Sequence, residues 1–599
     1  MMKKIVLILI CFFMTNMSYS ADEGNFDLHK LPFSHFGSYM SIIFKNSPDT
    51  NEEGLYLQDI SGRYLWHWKG VFLIEPLYAG EVIEYVVKMD KEKLSLETSE
   101  GNLEITFQGS DILRFKSDRV GLRLTQTVKD GSSNGYPISE DGRVWRCQMG
   151  GYDHFLFTTL RGQIGGESNL TIAGKPLPDR PILILELMPD EDGISEAALE
   201  QYQDGFTVKS FATPFEECID VRSAHIDRFS KRLLPVPDAY SDLFEESLYL
   251  KWSSIVRPKG NIQRHAMYCS KNVMNAIWAW DNCFDAMACC RKDLDFSLDL
   301  IMVVFDHQSE IGGLPDLITD QHTMRGAFKP PIQGFTFSKI MEYRNEEFAD
   351  HQLEKIYRPL EKYTNFWFRY MDDNRNGIPQ YNHANDSGED NCSVFMAGYP
   401  AEAPDLCTYL ILQMDFLAYC AEKLAKYNEA MEWRDRSAEL LNLMIKELWV
   451  DNRFVVKNSF TRVWDTESHA FLNYIPILLG DLLPDSIKVE LITQLKTPNS
   501  IVTAYGPASE HPNSPYFEED GYWRGAVWAP QYFFLVEGLK RCGEVKWAKE
   551  LAKNYCRMCQ QSGFPENFSA LDGGPLKDSG YSWTASVFLM LAHEYLFNE

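Results

Sequence analysis

Residues 386–395 read DSGEDNCSVF. Asp386, Glu389 and Asp390 place three carboxyl groups within five positions, around a single glycine. A carboxyl group can do two kinds of proton-transfer work. Protonated, it gives a proton to a leaving oxygen; ionised, it takes one from water. A reaction that needs both at once needs two carboxyl groups flanking the bond that breaks. A catalytic acid in this stretch therefore needs a distant partner. On its own the stretch is equally a solvated acidic loop, and it leaves open which of the three acids matters.

Three further stretches carry chemistry of the same kind. NAIWAWDNCFDA (275–286) sets Trp278 and Trp280 ahead of Asp281. An N-capping aspartate explains Asp281 alone, but two tryptophans leading into a carboxylate also suit a sugar ring that stacks while its hydroxyls donate to the acid. DDNRNGIPQYNH (372–383) places Asp372, Asn374 and Asn376 at positions 1, 3 and 5 of a calcium loop, Gly377 at position 6, and the carbonyl of Ile378 at position 7. Position 12 is His383 rather than glutamate, so the loop offers half a calcium site; a Gly/Asn turn after a helix is the plain alternative. The last stretch runs through GYWRGAVW, with Tyr522, Trp523, Arg524 and Trp528, to ENFSALDGGPLKDSGYSWTAS, with Glu566 and Trp583. Glu566 alone reads as a helix-end charge.

These residues need a scaffold. Residues from about 25 to 230 read as short β-strands. KLSLETSEGNLEITF (93–107) alternates apolar and polar residues around a Ser-Glu-Gly turn, GLRLTQTV (121–128) repeats the pattern, and PILILELMP (181–189) is a further strand. Together they predict a sandwich. Beyond LPVPDAYSDLF (234–244) the apolar period becomes helical, as in Leu353, Ile356, Leu360, Tyr363 and Trp367, and in Leu406, Leu410, Met414, Leu417 and Ala421. The expected organisation is a signal peptide over 1–20, a β-sandwich domain over 21–235 and an all-α domain over 236–599.

MMKKIVLILICFFMTNMSYS pairs two lysines with an apolar run too short to span a bilayer, followed by small residues before Ala21. It predicts export, to the periplasm or the medium, without membrane insertion. A net charge of −27 argues against nucleic acid, whose affinity comes from lysine and arginine on phosphates. Twelve cysteines remain after Cys11, mostly in apolar helical stretches, and read as small buried hydrophobes.

WAWD, SGEDNCSVF, GYWRGAVW and ENF…GYSWTAS, in that order over residues 240–599, resemble the successive motifs of glycoside hydrolase family 63 and its trehalase-like relatives, which include α-glucosidase-like proteins and mannosylglycerate hydrolases. KPPIQGF (329–335) resembles a Pro-Pro segment of the same enzymes and adds Lys329 and Gln333. The resemblance implies an (α/α)6 barrel catalytic domain behind the N-terminal β-sandwich, and inverting hydrolysis of an α-glycosidic bond. It implies Asp390 as general acid and Glu566 as general base. It implies Trp278, Trp280, Asp281, Lys329, Gln333, Tyr522, Trp523, Arg524, Trp528 and Trp583 as sugar-binding residues. Asp386 stands where relatives keep glutamate, and with Glu389 it is expected to add negative field around Asp390.

The trehalase PGGRF-type signature is absent, which turns the expectation from trehalose towards an exo-acting α-glucosidase on a small α-glycoside or oligosaccharide. The alternatives are an α-mannoside or glycosyl-glycerate hydrolase on the same scaffold, and a non-catalytic carbohydrate-binding accessory protein. A phosphorylase on the same barrel would replace the base with a phosphate site. No cofactor is required for the chemistry, and a calcium ion, if the half-site at 372–378 takes one, is structural.

Overall fold

The structure is a computed structural model. It describes residues 26–46, 53–62, 69–128, 133–168, 183–207 and 209–597; the signal peptide expected over 1–20 lies outside them. The chain divides into two compact units. One contains 44–58 and 70–223, and the other contains 29–43, 59–69 and 224–599.

The first unit is antiparallel β structure. One sheet runs Glu53–Asp59, Gly70–Tyr78, Gly121–Gln126, Leu183–Met188, Gln163–Ser168 in hydrogen-bonding order. The other runs Asn134–Pro137, Val144–Gln148, His154–Arg161, Ile194–Tyr202, Ile112–Asp118, Asn102–Phe107, Leu94–Glu97, Val86–Met89. The alternation at 93–107 sets the register: Leu94 pairs with Ile105 and Leu96 with Leu103, and all four are buried. A side-chain period of two puts every second residue on the core face, so a slip by one residue would expose all four.

The second unit is helical. Its helices, with the one that leads into it, are α1 (Phe215–Ser230), α2 (Ser241–Ser254), α3 (Asp281–Ala288), α4 (Leu294–Phe305), α5 (Gln333–Arg344), α6 (Asp350–Tyr370), α7 (Pro404–Lys423), α8 (Tyr427–Leu448), α9 (Asp485–Lys496), α10 (Ala529–Arg541), α11 (Val545–Ser562) and α12 (Ser582–Tyr595). Phe471–Leu482 is a 3₁₀-rich segment, broken at Gly480, with Pro476 inside it. Packing runs in a closed circuit: α3 on α5, α5 on α7, α7 on 471–482, that segment on α10, α10 on α12, and α12 back on α3. A second layer lies outside, with α4 on α3, α6 and α8 on α7, α9 on 471–482, α11 on α10 and α12, and α2 on α12.

The two layers differ in sequence. α10 buries every residue from Ala529 to Leu539, and α12 is nearly as apolar throughout. α6 instead buries one stripe, including Leu353, Ile356, Leu360, Tyr363 and Trp367, and turns the rest outward. An apolar helix needs neighbours all round, whereas a striped one needs them on one side only.

Three short three-stranded antiparallel sheets sit among these helices and carry the site. The first joins Ile277–Trp278, Leu317–Ile318 and Thr323–Met324. The second joins Gln380–Tyr381, Ala401–Glu402 and Lys457–Asn458, and the third Val527–Trp528, Asn567–Phe568 and Pro575–Leu576.

Candidate active site

The first small sheet delivers Trp278 and Trp280, and α3 begins at Asp281. Asp281 does not cap the helix. Its Oδ1 accepts from the Tyr581 hydroxyl at 3.0 Å and from the Cys269 thiol at 3.4 Å. Burial pushes its carboxyl up to about 7, against the opposing Tyr581 hydroxyl and Lys329 charge. Trp280 lies between two other tryptophans, with ring centroids 6.2 Å from Trp523 and 6.0 Å from Trp583.

The loop of Asp386 to Asp390 packs against that tryptophan. Gly388 has φ +73°, and a Cβ there would stand 2.6 Å from the Trp280 ring, so only glycine fits. Asp386 is consumed in holding the loop: its carboxylate accepts from the backbone N–H groups of Phe328, Asn382 and His383, each at 2.9 Å. Glu389 turns inward, accepting from Gln531 Nε2 at 2.8 Å, and burial beside Asp405 pushes it up to about 8. Asp390 alone of the three acids stays partly open, with 36% of its side chain exposed. Its carboxyl is held above the usual range by burial and by Asp316, against the opposing charge of Lys329. The expected field from Asp386 and Glu389 is thus supplied mainly by a residue the sequence did not single out.

Asn391 ties this loop to the 521–523 turn. Its Nδ2 donates to Gly521 O and its Oδ1 accepts from Trp523 N, both at 2.9 Å. Between those two residues stands Tyr522, whose backbone is left-handed at φ +63°. Such strain in a non-glycine residue persists only where the surroundings over-determine it. The turn aims the Tyr522 hydroxyl at Glu566 Oε1, 3.2 Å away. Its pKa is raised well above the ordinary value by burial and then by the charges of Glu566, Asp390 and Asp281. Three carboxyl groups from three separate segments therefore bear on one hydroxyl.

Glu566 precedes the strand Asn567–Phe568 and is 3% exposed. Its N–H donates to Asp578 O at 2.7 Å, and its carbonyl accepts from Trp583 Nε1 at 2.9 Å. Burial pushes its carboxyl up to about 8, with the Asp578 charge adding to the rise. The Asp578 carboxylate in turn accepts from Ser270 Oγ, Asn272 Nδ2 and the N–H groups of Val273 and Met274, binding the Glu566 hairpin to the segment ahead of Trp278.

The remaining expected residues fall as follows. Lys329 Nζ reaches Asn385 O at 2.8 Å, Asp316 Oδ1 at 3.3 Å and Asp390 Oδ1 at 3.5 Å. Gln333, at the start of α5, donates to Ala279 O at 2.8 Å, and its Oε1 has no partner among the described residues; nor does Trp523 Nε1. Buried polar atoms of this kind are costly unless a ligand or water meets them. Trp528 lies flat against Trp523 at 3.8 Å and is fully buried, beneath that ring. Arg524 is drawn away to Glu518 at 2.8 Å.

At 372–378 the loop closes on itself. Asp372 accepts from the N–H groups of Asn376 and Gly377, and the side-chain oxygens of Asn374 and Asn376 accept from the N–H groups of Asn376 and Ile378. Both amide groups donate to Glu402 Oε1 at 2.8 Å, and Arg462 meets the same oxygen at 3.1 Å. Among the described residues no cluster of three or more His, Cys, Asp or Glu side chains is arranged to hold a metal. All twelve described cysteines are free thiols, eleven of them buried.

Asp316, Asn391, Asp578 and Glu402 were not singled out beforehand. Asn391 had a signal, since it directly follows Asp390 in a quoted motif. Asp578 likewise lies within the quoted ENFSALDGGPLKDSGYSWTAS, whereas Asp316 and Glu402 stand in no pattern and only their spatial partners reveal them.

The domain family described as mannosylglycerate hydrolase MGH1-like glycoside hydrolase matches residues 274–584. Mannosylglycerate hydrolase of Thermus thermophilus is 21% identical over 52% of this chain and 93% of its own length. The enzyme of the same name from Rubrobacter radiotolerans is 22% identical over 52% of this chain and 89% of its own. Among solved structures, a family 63 mannosylglycerate hydrolase of Thermus thermophilus in complex with glucose superposes with a TM-score of 0.51 at 17% identity, over 58% of this chain and 99% of that one. A bacterial glucoamylase in complex with acarbose gives 0.63 at 11% identity, over 97% and 96%. The likeness to these structures is one of fold. The family match spans more than half of the sequence, and on it the chain belongs to the mannosylglycerate hydrolase MGH1-like glycoside hydrolases, of the family 63 kind.

Proposed function

We propose that the protein is an exported, inverting α-glycoside hydrolase, with Asp390 as general acid and Glu566 as general base. The observation that carries this reading is that Glu566 accepts from the Tyr522 hydroxyl at 3.2 Å while Asn391, next to Asp390, is hydrogen-bonded to both neighbours of Tyr522, which brings two segments 176 positions apart in sequence to one turn. The closed circuit of α3, α5, α7, 471–482, α10 and α12 inside a second helical layer is read as an (α/α)6 barrel, and the two antiparallel sheets as a sandwich.

In the reaction Asp390 gives its proton to the glycosidic oxygen as the bond from that oxygen to the anomeric carbon breaks. Ionised Glu566 takes a proton from a water whose oxygen bonds to the same carbon from the opposite face. Room for that water calls for carboxyl groups roughly 6.5–9.5 Å apart. Trp280, Trp523 and Trp583 offer ring faces and edges to the sugar, and Asp281, Gln333 and Trp523 Nε1 its hydroxyl partners. An exo-acting α-glucosidase is the first reading of specificity. The mannosylglycerate hydrolases among its relatives favour a second, a glycosyl-glycerate substrate.

The test is a panel of α-glucosyl and α-mannosyl disaccharides and glycosyl-glycerates, with the first-formed anomer followed by proton NMR. The β-anomer is expected first, and Asp390→Asn and Glu566→Gln should each lose at least ~100-fold in turnover with folding intact. Near-normal turnover in either variant, or the α-anomer first, overturns the reading.

A further inference from the structure

One ammonium group is shared by two carboxyl groups at the centre of the site. Lys329 is buried and held at both ends. Its carbonyl accepts from the Tyr363 hydroxyl at 2.7 Å, and Pro330 and Pro331 stiffen the chain behind it. An ammonium has three N–H donors. One goes to Asn385 O, which leaves the others for Asp316 and Asp390. The two facing oxygens, Asp316 Oδ1 and Asp390 Oδ1, are buried and have no hydrogen-bonding partner among the described residues; each meets this ammonium as an ion pair.

The backbone of Asp316 is held beside the shared cation. Its N–H donates to Met324 O at 2.9 Å, and its carbonyl accepts from Ala279 N–H at 3.1 Å, so both sides of its backbone are locked into the first small sheet. Asp390 is tied on its other side through Asn391 to the Tyr522 turn. The backbone that carries Asp316 and the segment that carries Asp390 are thus both held, with the carboxyl oxygens 3.3 and 3.5 Å from Lys329 Nζ.

We propose that Asp316 is a positioning residue that sets the protonation of Asp390 by competing with it for the charge of Lys329. The inference rests on the reading of Asp390 as the general acid. Before reaction Asp390 must keep its proton, and an unopposed ammonium 3.5 Å away would strip it. After the proton leaves for the glycosidic oxygen, the new carboxylate needs a cation, and Lys329 is already there. Asp316 holds that cation in place while taking up part of its charge. Burial alone would lower the Lys329 pKa, yet the charges of Asp390, Asp316 and Asp281 together hold it above the ordinary value. The other groups facing Asp390 are His383, whose charge opposes the rise, neighbouring Glu389 and the Tyr522 hydroxyl.

The two partners should act with opposite sign. Lys329→Met removes the cation and raises the Asp390 pKa. Asp316→Asn leaves the cation to Asp390 alone and lowers it. In the profile of kcat/KM against pH, one limb should move up by about one pH unit in the first variant and down by about one in the second. The double variant should return that limb towards its starting place. Circular dichroism and melting curves on each variant separate folding losses from these shifts. A loss equal at every pH in both single variants, or shifts of the same sign, overturns the inference. If Asp390→Asn is inactive while neither limb moves, the inference fails and the site reading survives. If Asp390→Asn is active, the site reading itself has failed.

Discussion

Replacing Tyr522 by phenylalanine removes one oxygen atom and tests how the base is tuned. The hydroxyl donates to Glu566 Oε1 at 3.2 Å and favours the ionised carboxylate. A hydrogen bond to a charged group contributes about 1.5–3 kcal/mol, and one pH unit corresponds to about 1.4 kcal/mol. Losing the bond should therefore raise the Glu566 pKa by about one to two pH units from its value of about 8. The sign is unambiguous, because the donor stabilises the form that acts as base. Taking the smaller shift, the ionised share at pH 7 drops from roughly a tenth to roughly a hundredth, a ~10-fold loss in kcat/KM. At pH 9 the same variant should lose only ~2-fold, since most of the carboxylate is then ionised in the parent and about half in the variant. Phenylalanine keeps the ring against Trp528, 4.8 Å between centroids, so the left-handed turn should survive. The assay is the ratio of variant to parent kcat/KM from pH 6 to 9 on any hydrolysed α-glycoside. A ratio that does not change with pH would refute the argument, because it would mean that the hydroxyl acts on substrate or structure and not on Glu566.

Two predictions concern stability. Burial raises Asp281 and Asp405 from 3.8 to about 7, and Glu389 and Glu566 from 4.5 to about 8. The folded chain then holds protons that the unfolded chain releases, so these groups contribute stability at low pH that is lost as pH rises through their folded values. The melting temperature should fall between pH 5 and 8, less steeply in Glu389→Gln; a melting temperature that rises across that range contradicts it. Gly388→Ala sets a Cβ 2.6 Å from the Trp280 ring at φ +73°. Strain and overpacking of this kind cost about 1–3 kcal/mol, so both melting temperature and kcat should drop, and an unchanged kcat would show that the acid loop does not depend on its seat against Trp280.

Much of the scaffold was legible in the chain. Leu94, Leu96, Leu103 and Ile105 alternate because a strand turns by half a circle per residue, and they pair across one hairpin. The stripe of α6 is legible for the same local reason. The segment 471–482 departs from a regular helix where Pro476 lacks an N–H and Gly480 takes a backbone that helices do not use.

The choice among three neighbouring acids marks the boundary between sequence and structure. By itself the sequence determined that carboxyl groups, tryptophans and glycines recur in a set order, and that order pointed to Asp390 and Glu566. Only the tertiary structure decided what each acid does. Asp386 spends its oxygens on three backbone N–H groups, Glu389 turns inward to Gln531, and Asp390 stays open beside Lys329. Asn391 joins the acid loop to Tyr522, and Asp316 enters from a hairpin 74 positions before Asp390 to share its cation. The physical reason is that periodicity and motif spacing report local backbone geometry, whereas a proton's affinity depends on charges and burial a few ångströms away in space, set by segments that the chain keeps far apart.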